Sequence, residues 1–281
     1  MPLDRSTIDA LGRRLERAKA PAQADLDELA ILQNGYLPSL EIVTGRLRDL
    51  LGSPPSYEGT SLTATSRLKT VATIVEKLRN HETKLSLMRD IVGVRIVGGL
   101  NRAAQNRLVA LVASTFAVGE SGIIDRRRTP RHGYRAVHVV PRVDERPVEI
   151  QIRTGLQHTW ANGMERFADV FGRQIRYGGE PSGSSAEQQA HRWRFIEEYK
   201  RHADLIETFE LAELQVLQSK EELRDREGQE DKLSRSPGGP AVQLEELQTQ
   251  HQAARRALVL AAEVIASHLV DMTELLDLDI D

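Results

Sequence analysis

The chain contains no cysteine. That excludes disulfides, thiol nucleophiles and every cysteine-ligated zinc site, and it is compatible with a reducing compartment. A long apolar run is missing as well. The amino-terminal stretch MPLDRSTIDALGRRLERAKA is charged throughout and has no signal-peptide core, and no later segment approaches the length of a membrane span. These absences predict a cytoplasmic protein with no membrane partner. There is no internal repeat and no low-complexity tract. Nor is there an excess of charge of one sign: the formal net charge of -3 argues against a surface built as a whole to coat nucleic acid, while leaving room for a local basic site.

What is present is a globular composition. The 281 residues are 40% apolar and 28% charged, enough for one sizeable domain with appendages or two small ones. Residues 22–51 place apolar side chains at helical spacing with a break near Asn34-Gly35, which predicts two helices or one kinked helix. LGSPPSYEGTSLTATS reads as a loop leading into a short strand. A helix from about Thr70 to Asn80 follows, then the apolar run IVGVRIV (Ile91 to Val97), read as a central strand. RAAQNRLVALVASTF is an amphipathic helix. RAVHVVPRV and PVEIQIRT are strands on either side of a turn at Asp144 to Pro147, and a helix from Gly155 to about Phe171 ends in YGGEPSGSS.

This order predicts an α/β (α+β) core with a small mixed sheet flanked by helices. The segments from Ala186 to about Glu227 and from Ala241 to about Leu276 are helical, and with the linker SRSPGGP they form a carboxy-terminal helical hairpin. Leu211, Leu214 and Leu217 make one apolar stripe; Leu258, Ala261, Ile265 and Leu269 make another. Each stripe serves either packing on the core or an oligomer interface. The expected organisation is a helical segment at 1–56, a core at 57–180 and helices at 181–281.

Four short stretches carry candidate chemistry. In SRLKTVATIVEKLR, a helix starting near Lys69 lines up Lys69, Thr73 and Lys77, with Arg67 just before it. Two ammonium groups, a guanidinium and a hydroxyl beside a helix start can cradle a polyphosphate, and they can equally be a solvated face. In RDIVGVRIV, Asp90 stands at the mouth of a strand, where one carboxylate can hold Mg²⁺ together with substrate phosphates or simply form a turn. In DRRRTPRHGYRAVHVV, the cluster from Arg126 through Arg131 to Arg135 is either solvated surface or an RNA contact. Within it, Tyr134 and His138 fall two alternations apart, on one predicted sheet face, and Tyr134 offers a ring for base stacking. In VEIQIRT, Glu149, Gln151 and Arg153 share the face opposite Val148, Ile150 and Ile152, as a catalytic surface or a structural ion pair.

In their order and spacing, RLKTVATIVEKL, RDIVGVRI, HGYRAVHVV and VEIQIRT resemble the synthetase domain of the RelA/SpoT family across roughly Tyr57 to Gly179. The resemblance implies a nucleotidyltransferase-like synthetase core that moves pyrophosphate from ATP to the ribose 3′-hydroxyl of GDP or GTP, making the alarmones pppGpp and ppGpp of the stringent response. Carried over by motif, Arg67, Lys69, Thr73 and Lys77 would hold the ATP phosphates and Asp90 would bind Mg²⁺. Tyr134 would stack on the acceptor base, with His138 and Gln151 positioning the acceptor. Glu149 would bind the metal or act as base, and Arg153 would support a phosphate or a neighbouring strand; Arg131 and Arg135 join the acceptor side.

About sixty residues precede the motifs and no His-Asp dipeptide occurs, so the expectation is a stand-alone small alarmone synthetase without the hydrolase domain of long family members. Ala136 stands where the family often has Ser. The stretch LQHTWANGMERFADVFGRQIRYGG departs from the usual Glu-His and Tyr-Lys pattern, towards a divergent subgroup with toxic members. Alternative readings are therefore a toxin that modifies the 3′ end of tRNA, paired with an antitoxin protein, or a non-catalytic nucleotide- or RNA-binding module. Similarity to small synthetases also implies a homo-oligomer assembled through the carboxy-terminal helices.

Overall fold

Side chains that satisfy free backbone N–H groups mark where the helices begin. Asp4 accepts from Thr7 N at the start of α1 (Arg5–Arg17), Thr70 accepts from Thr73 N at the start of α3 (Val71–Arg79), and Thr154 with Gln157 closes a capping box on α5 (Gly155–Phe171). The computed structural model describes residues 4–80, 83–233 and 241–277. The remaining helices are α2 (Gln23–Leu51), α4 (Arg102–Thr115), α6 (Ala186–Leu233) and α7 (Ala241–Glu274). The linker SRSPGGP lies outside the described residues. Among these residues no helix is long and apolar enough to cross a membrane.

The strands are β1 (Ser56–Tyr57), β2 (Thr60–Leu68), β3 (Val92–Gly98), β4 (Ile123–Asp125), β5 (Val137–Val139), β6 (Arg142–Val143), β7 (Arg146–Pro147) and β8 (Glu149–Thr154). Six of them form a mixed sheet in the order β1-β2-β3-β8-β5-β4; β6 and β7 pair as a hairpin. The fold is thus the expected small mixed sheet with flanking helices and a carboxy-terminal helical pair.

Two local expectations differ from the structure, and a third resolves to the single helix of its two alternatives. The segment read as a loop contains a nine-residue strand, β2, because its threonines are β-branched and its polar side chains suit an outer strand whose one inward apolar residue is Leu62. α2 runs as one helix through Asn34-Gly35 and through Pro38. β5 is only three residues long: left-handed backbone at His132 and Gly133 stops the pairing, so Tyr134 sits in a turn bridged to Arg131 and off the strand.

Chain contacts divide the molecule into two units. The first comprises Met1–Gly99, Asn106–Thr129 and Ala136–Arg153. Its core joins Leu11 and Leu15 of α1, Leu29 and Val43 of α2 and Ile74 of α3 with Val92, Ile96, Ile150 and Ile152 of the sheet. The second comprises Leu100–Gln105, Pro130–Arg135 and Thr154–Asp281, and its core is an aromatic cluster of Trp160, Phe167 and Phe171 of α5 with Tyr199 of α6, closed by Leu269 and Met272 of α7.

Gly163 sets how closely α5 approaches that cluster. A β-carbon there would overlap the Tyr199 hydroxyl and come within 2.8 Å of Thr273 Cγ2, while Tyr199 is fully buried and donates to the Trp160 carbonyl at 3.1 Å. Gly163→Ala gains about 1 kcal/mol of helix propensity and is expected to lose about 3 kcal/mol to overpacking, so the thermal midpoint falls. A midpoint equal to or above wild type would show that Tyr199 has room to move.

Candidate active site

The sheet brings the first, second and fourth motifs together because β3 lies between β2 and β8. Arg67 on β2 is paired directly with Gly93 on β3, and side chains directly opposite share a face. A β-carbon at Gly93 would overlap the Glu149 carbonyl oxygen and stand 3.5 Å from Glu149 Cβ. With no side chain there, the Arg67 guanidinium reaches across β3 to 3.7 Å from Glu149 Oε2.

On the other side of Glu149, β5 pairs antiparallel to β8 with His138 opposite Gln151. His138 Nδ1 lies 2.9 Å from Glu149 Oε1, Gln151 Nε2 donates to Glu149 Oε2 at 2.6 Å, and Arg153 Nη2 donates to Gln151 Oε1 at 3.1 Å. The expected polar face is therefore real, with one difference: it is buried like its apolar counterpart, Glu149, Gln151 and Arg153 being 7%, 5% and 3% exposed. Burial by itself would raise the Glu149 carboxyl. The His138 charge and hydrogen bond, the Gln151 amide and Arg67 outweigh it and hold Glu149 below the ordinary carboxylate range.

The second carboxylate lies just before β3. Lys69 N donates to the Ile91 carbonyl at 2.8 Å, extending the β2–β3 ladder by one step and setting Lys69 beside Asp90. Lys69 Nζ contacts Asp90 Oδ2 at 2.9 Å and Lys77 Nζ contacts Oδ1 at 3.1 Å. Burial pushes Asp90 up, but the two ammonium groups prevail and its affinity for a proton is lowered; Glu149 works in the opposite direction, so the two carboxylates feel each other. Lys69 is itself lowered, by burial first. Gln33 of α2 donates to the Lys69 carbonyl at 2.6 Å and anchors this corner.

The expected face of Lys69, Thr73 and Lys77 is realised differently. α3 starts at Val71, so Lys69 precedes the helix and reaches Asp90 from the chain entering it, while Lys77 reaches the same carboxylate from the last turn. The Thr73 hydroxyl is engaged with Thr70, donating to its carbonyl at 3.0 Å.

Tyr134, Arg131 and Arg135 belong to the second unit. Tyr134 packs partly buried against the aromatic cluster, and Arg131 is exposed. Arg135 is buried, donating to the Ala203 carbonyl at 3.1 Å and pairing with Asp204 at 2.9 Å and Glu207 at 3.3 Å. Arg102 meets Glu207 and Glu210, both at 3.0 Å, and Glu210 also accepts from Thr154 Oγ1 at 2.7 Å and Gln157 Nε2 at 2.9 Å. This network escaped the sequence reading. Its signal was the i, i+3, i+6 spacing of Asp204, Glu207 and Glu210, which puts three acids on one helix face.

Because Glu149 and Asp90 are both lowered, their contribution to stability is fully present above the ordinary values of 4.5 and 3.8 and is lost as pH falls towards the lower folded values. Denaturant midpoints should therefore drop below about pH 4.5, and Glu149→Gln should flatten that acid limb. Parallel acid limbs for the two proteins would contradict the pairing.

No group of three or more metal-ligating side chains occurs among the described residues. Asp90 and Glu149 nevertheless suit Mg²⁺, which binds through one or two carboxylates and completes its shell with substrate phosphates and water.

Residues 66–168 match the family described as the region found in RelA / SpoT proteins. Uncharacterized proteins of Mycobacterium bovis and Mycobacterium tuberculosis are 43% identical over 132 residues, covering 47% of this chain and 48% of theirs. The chain thus spans about half the length of the curated relatives it matches. Among solved structures, a GTP pyrophosphokinase family protein from Streptococcus pneumoniae aligns at 18% identity and a TM-score of 0.44, covering 66% of this chain and 91% of that one. The small alarmone synthetase 1 from Bacillus subtilis, bound to AMPCPP, aligns at 18% identity and 0.34, covering 66% and 96%.

Proposed function

We propose that the RelA/SpoT region of this chain transfers pyrophosphate from ATP to the 3′-hydroxyl of GDP or GTP, making (p)ppGpp. One observation carries the reading: two mutually interacting carboxylates, Asp90 and Glu149, are each matched by cations from one short segment, Arg67 on Glu149 and Lys69 with Lys77 on Asp90. Such a site has little covalent work to do; it positions the reactants and neutralises charge that develops on the phosphates.

Asp90 and Glu149 would hold Mg²⁺, which when bound supplies charge neutralisation on the donor phosphates. Lys69, Lys77 and Arg67, which pair with these carboxylates, would hold the donor phosphate oxygens. Glu149 is held ionised by its neighbours, which suits it to holding a cation and orienting His138 and Gln151 more than to taking a proton. In the transfer the hydroxyl oxygen attacks the β-phosphorus as its proton passes to solvent water, the bond from that phosphorus to the α,β-bridging oxygen breaks with its electron pair going to that oxygen, and AMP leaves.

A second acceptor, the 3′ end of tRNA, is favoured by two exposed guanidinium groups, Arg128 and Arg131, in the basic stretch. Incubation with γ-labelled ATP and Mg²⁺ against GDP, GTP, ATP and deacylated tRNA separates these readings. Label in guanosine tetra- or pentaphosphate is the expected result; label on tRNA alone favours the second acceptor, and no label in any product removes both.

The carboxy-terminal helices are proposed to mediate self-association. On α7, Val259, Leu260 and Val264 are 59%, 62% and 67% exposed, an apolar row that a second copy would cover. Light scattering at micromolar concentration should give a mass above 31.4 kDa; a monomer would refute the assembly.

A further inference from the structure

A cleft of about 960 Å³ in the first unit is lined by none of the residues placed around Asp90 and Glu149. Its walls come from α1, α2, the turn Leu85–Leu87 with Arg89 behind it, and the β6–β7 hairpin. Four guanidinium groups line it, those of Arg5, Arg89, Arg142 and Arg146, against two carboxylates, Asp144 and Glu145. Arg5 and Arg89 make no hydrogen bond or ion pair with the described residues and both are exposed. Arg142 is occupied with the hairpin, donating to the Glu145 carbonyl at 2.6 Å.

The apolar part of the lining is equally unsatisfied. Ile31 is 62% and Leu87 49% exposed, next to Ile8, Leu32 and Tyr36. Arg146 Cζ stands 5.8 Å over the Tyr36 ring centroid, within cation–π range. The hairpin that carries Arg142 and Arg146 is turned by Asp144 and Glu145 at φ 47° and 64°, left-handed values that side chains other than glycine adopt at a cost. The turn brings the two strands that carry Arg142 and Arg146 side by side, and both arginines line the cleft.

We propose that this cleft binds an organic polyanion: a small molecule with two or more phosphate or carboxylate groups for Arg5, Arg89 and Arg146, and a flat or apolar portion that lies on Ile31, Leu87 and Tyr36. The volume falls in the range of small-molecule sites, and guanidinium forks match phosphate and carboxylate oxygens in pairs. The site is distinct from the donor phosphate site, since Lys69 and Lys77 do not line it.

The test uses the whole chain carrying Lys77→Ala, which weakens the Asp90 corner, and titrates it by calorimetry with UTP and, separately, with inorganic tripolyphosphate. UTP supplies anion and ring; tripolyphosphate supplies anion alone. UTP is expected to bind at one site at least tenfold more tightly than tripolyphosphate, to weaken at least tenfold on Arg89→Ala with Arg146→Ala, and to weaken towards the tripolyphosphate value on Ile31→Asp. Thermal midpoints of these surface variants confirm folding. Equal binding of the two probes overturns the ring portion. UTP binding unaffected by the arginine and Ile31 substitutions, or no UTP binding at all, overturns the site. Because binding is read without any turnover, failure here is separate from failure of the proposed transfer reaction.

Discussion

Glu149→Gln is expected to lower the rate of pyrophosphate transfer by about 10²–10⁴-fold, the range associated with loss of a single positioned charge or proton-transfer group. Glutamine keeps the volume and one acceptor oxygen, so the β5–β8 pairing and the buried Val148, Ile150 and Ile152 on the opposite face remain. What disappears is the charge that Arg67 and His138 face at 3.7 and 2.9 Å and that Mg²⁺ would share with Asp90. A loss mainly in kcat, with native circular dichroism, is the expected pattern. Activity within twofold of wild type would remove Glu149 from the centre of the site.

The largest effect on stability is expected at Glu210, far along the chain from the motifs. This side chain is 2% exposed and accepts from Arg102, Thr154 and Gln157 at once. Glu210→Ala deletes one partner of a buried charge and leaves Arg102 with Glu207 alone, while the Thr154 hydroxyl and the Gln157 amide lose an acceptor. Breaking such a pair from one side costs about 3–5 kcal/mol, against which Glu210→Gln, still able to bond Thr154, should cost less. Chemical denaturation checks this ordering. Equal stability of both variants and wild type would show that water or Glu207 takes over the role.

The residues explain which parts of this architecture were legible in advance. Alternation in VEIQIRT gave β8 and the shared face of Glu149, Gln151 and Arg153, because a period of two is strictly geometric. The helices α3 and α5 were legible from their apolar spacing and are started by their N-cap residues Thr70 and Thr154. The nine-residue β2 was hidden because Thr and Ser serve loops as readily as outer strands. Tyr134 was misassigned to the sheet face because the alternation of Ala136 and His138 was extended back to it, while the positive φ of His132 and Gly133 just before it makes a turn there and β5 begins only at Val137. Long-range pairings were beyond reach in principle: that Lys69 and Lys77 meet on Asp90, or that α6 turns Asp204, Glu207 and Glu210 towards Arg102 and Arg135, depends on packing that no local pattern encodes.

The central claim is that Asp90 and Glu149, with Arg67, Lys69 and Lys77, transfer a pyrophosphoryl group. The most direct measurement is quantitative ³¹P NMR of the folded protein with ATP, Mg²⁺ and GDP. AMP and guanosine tetraphosphate rising in equal amounts, with both abolished by Glu149→Gln, is the result expected here. ADP in place of AMP, or no turnover from a protein shown to be folded, would contradict it.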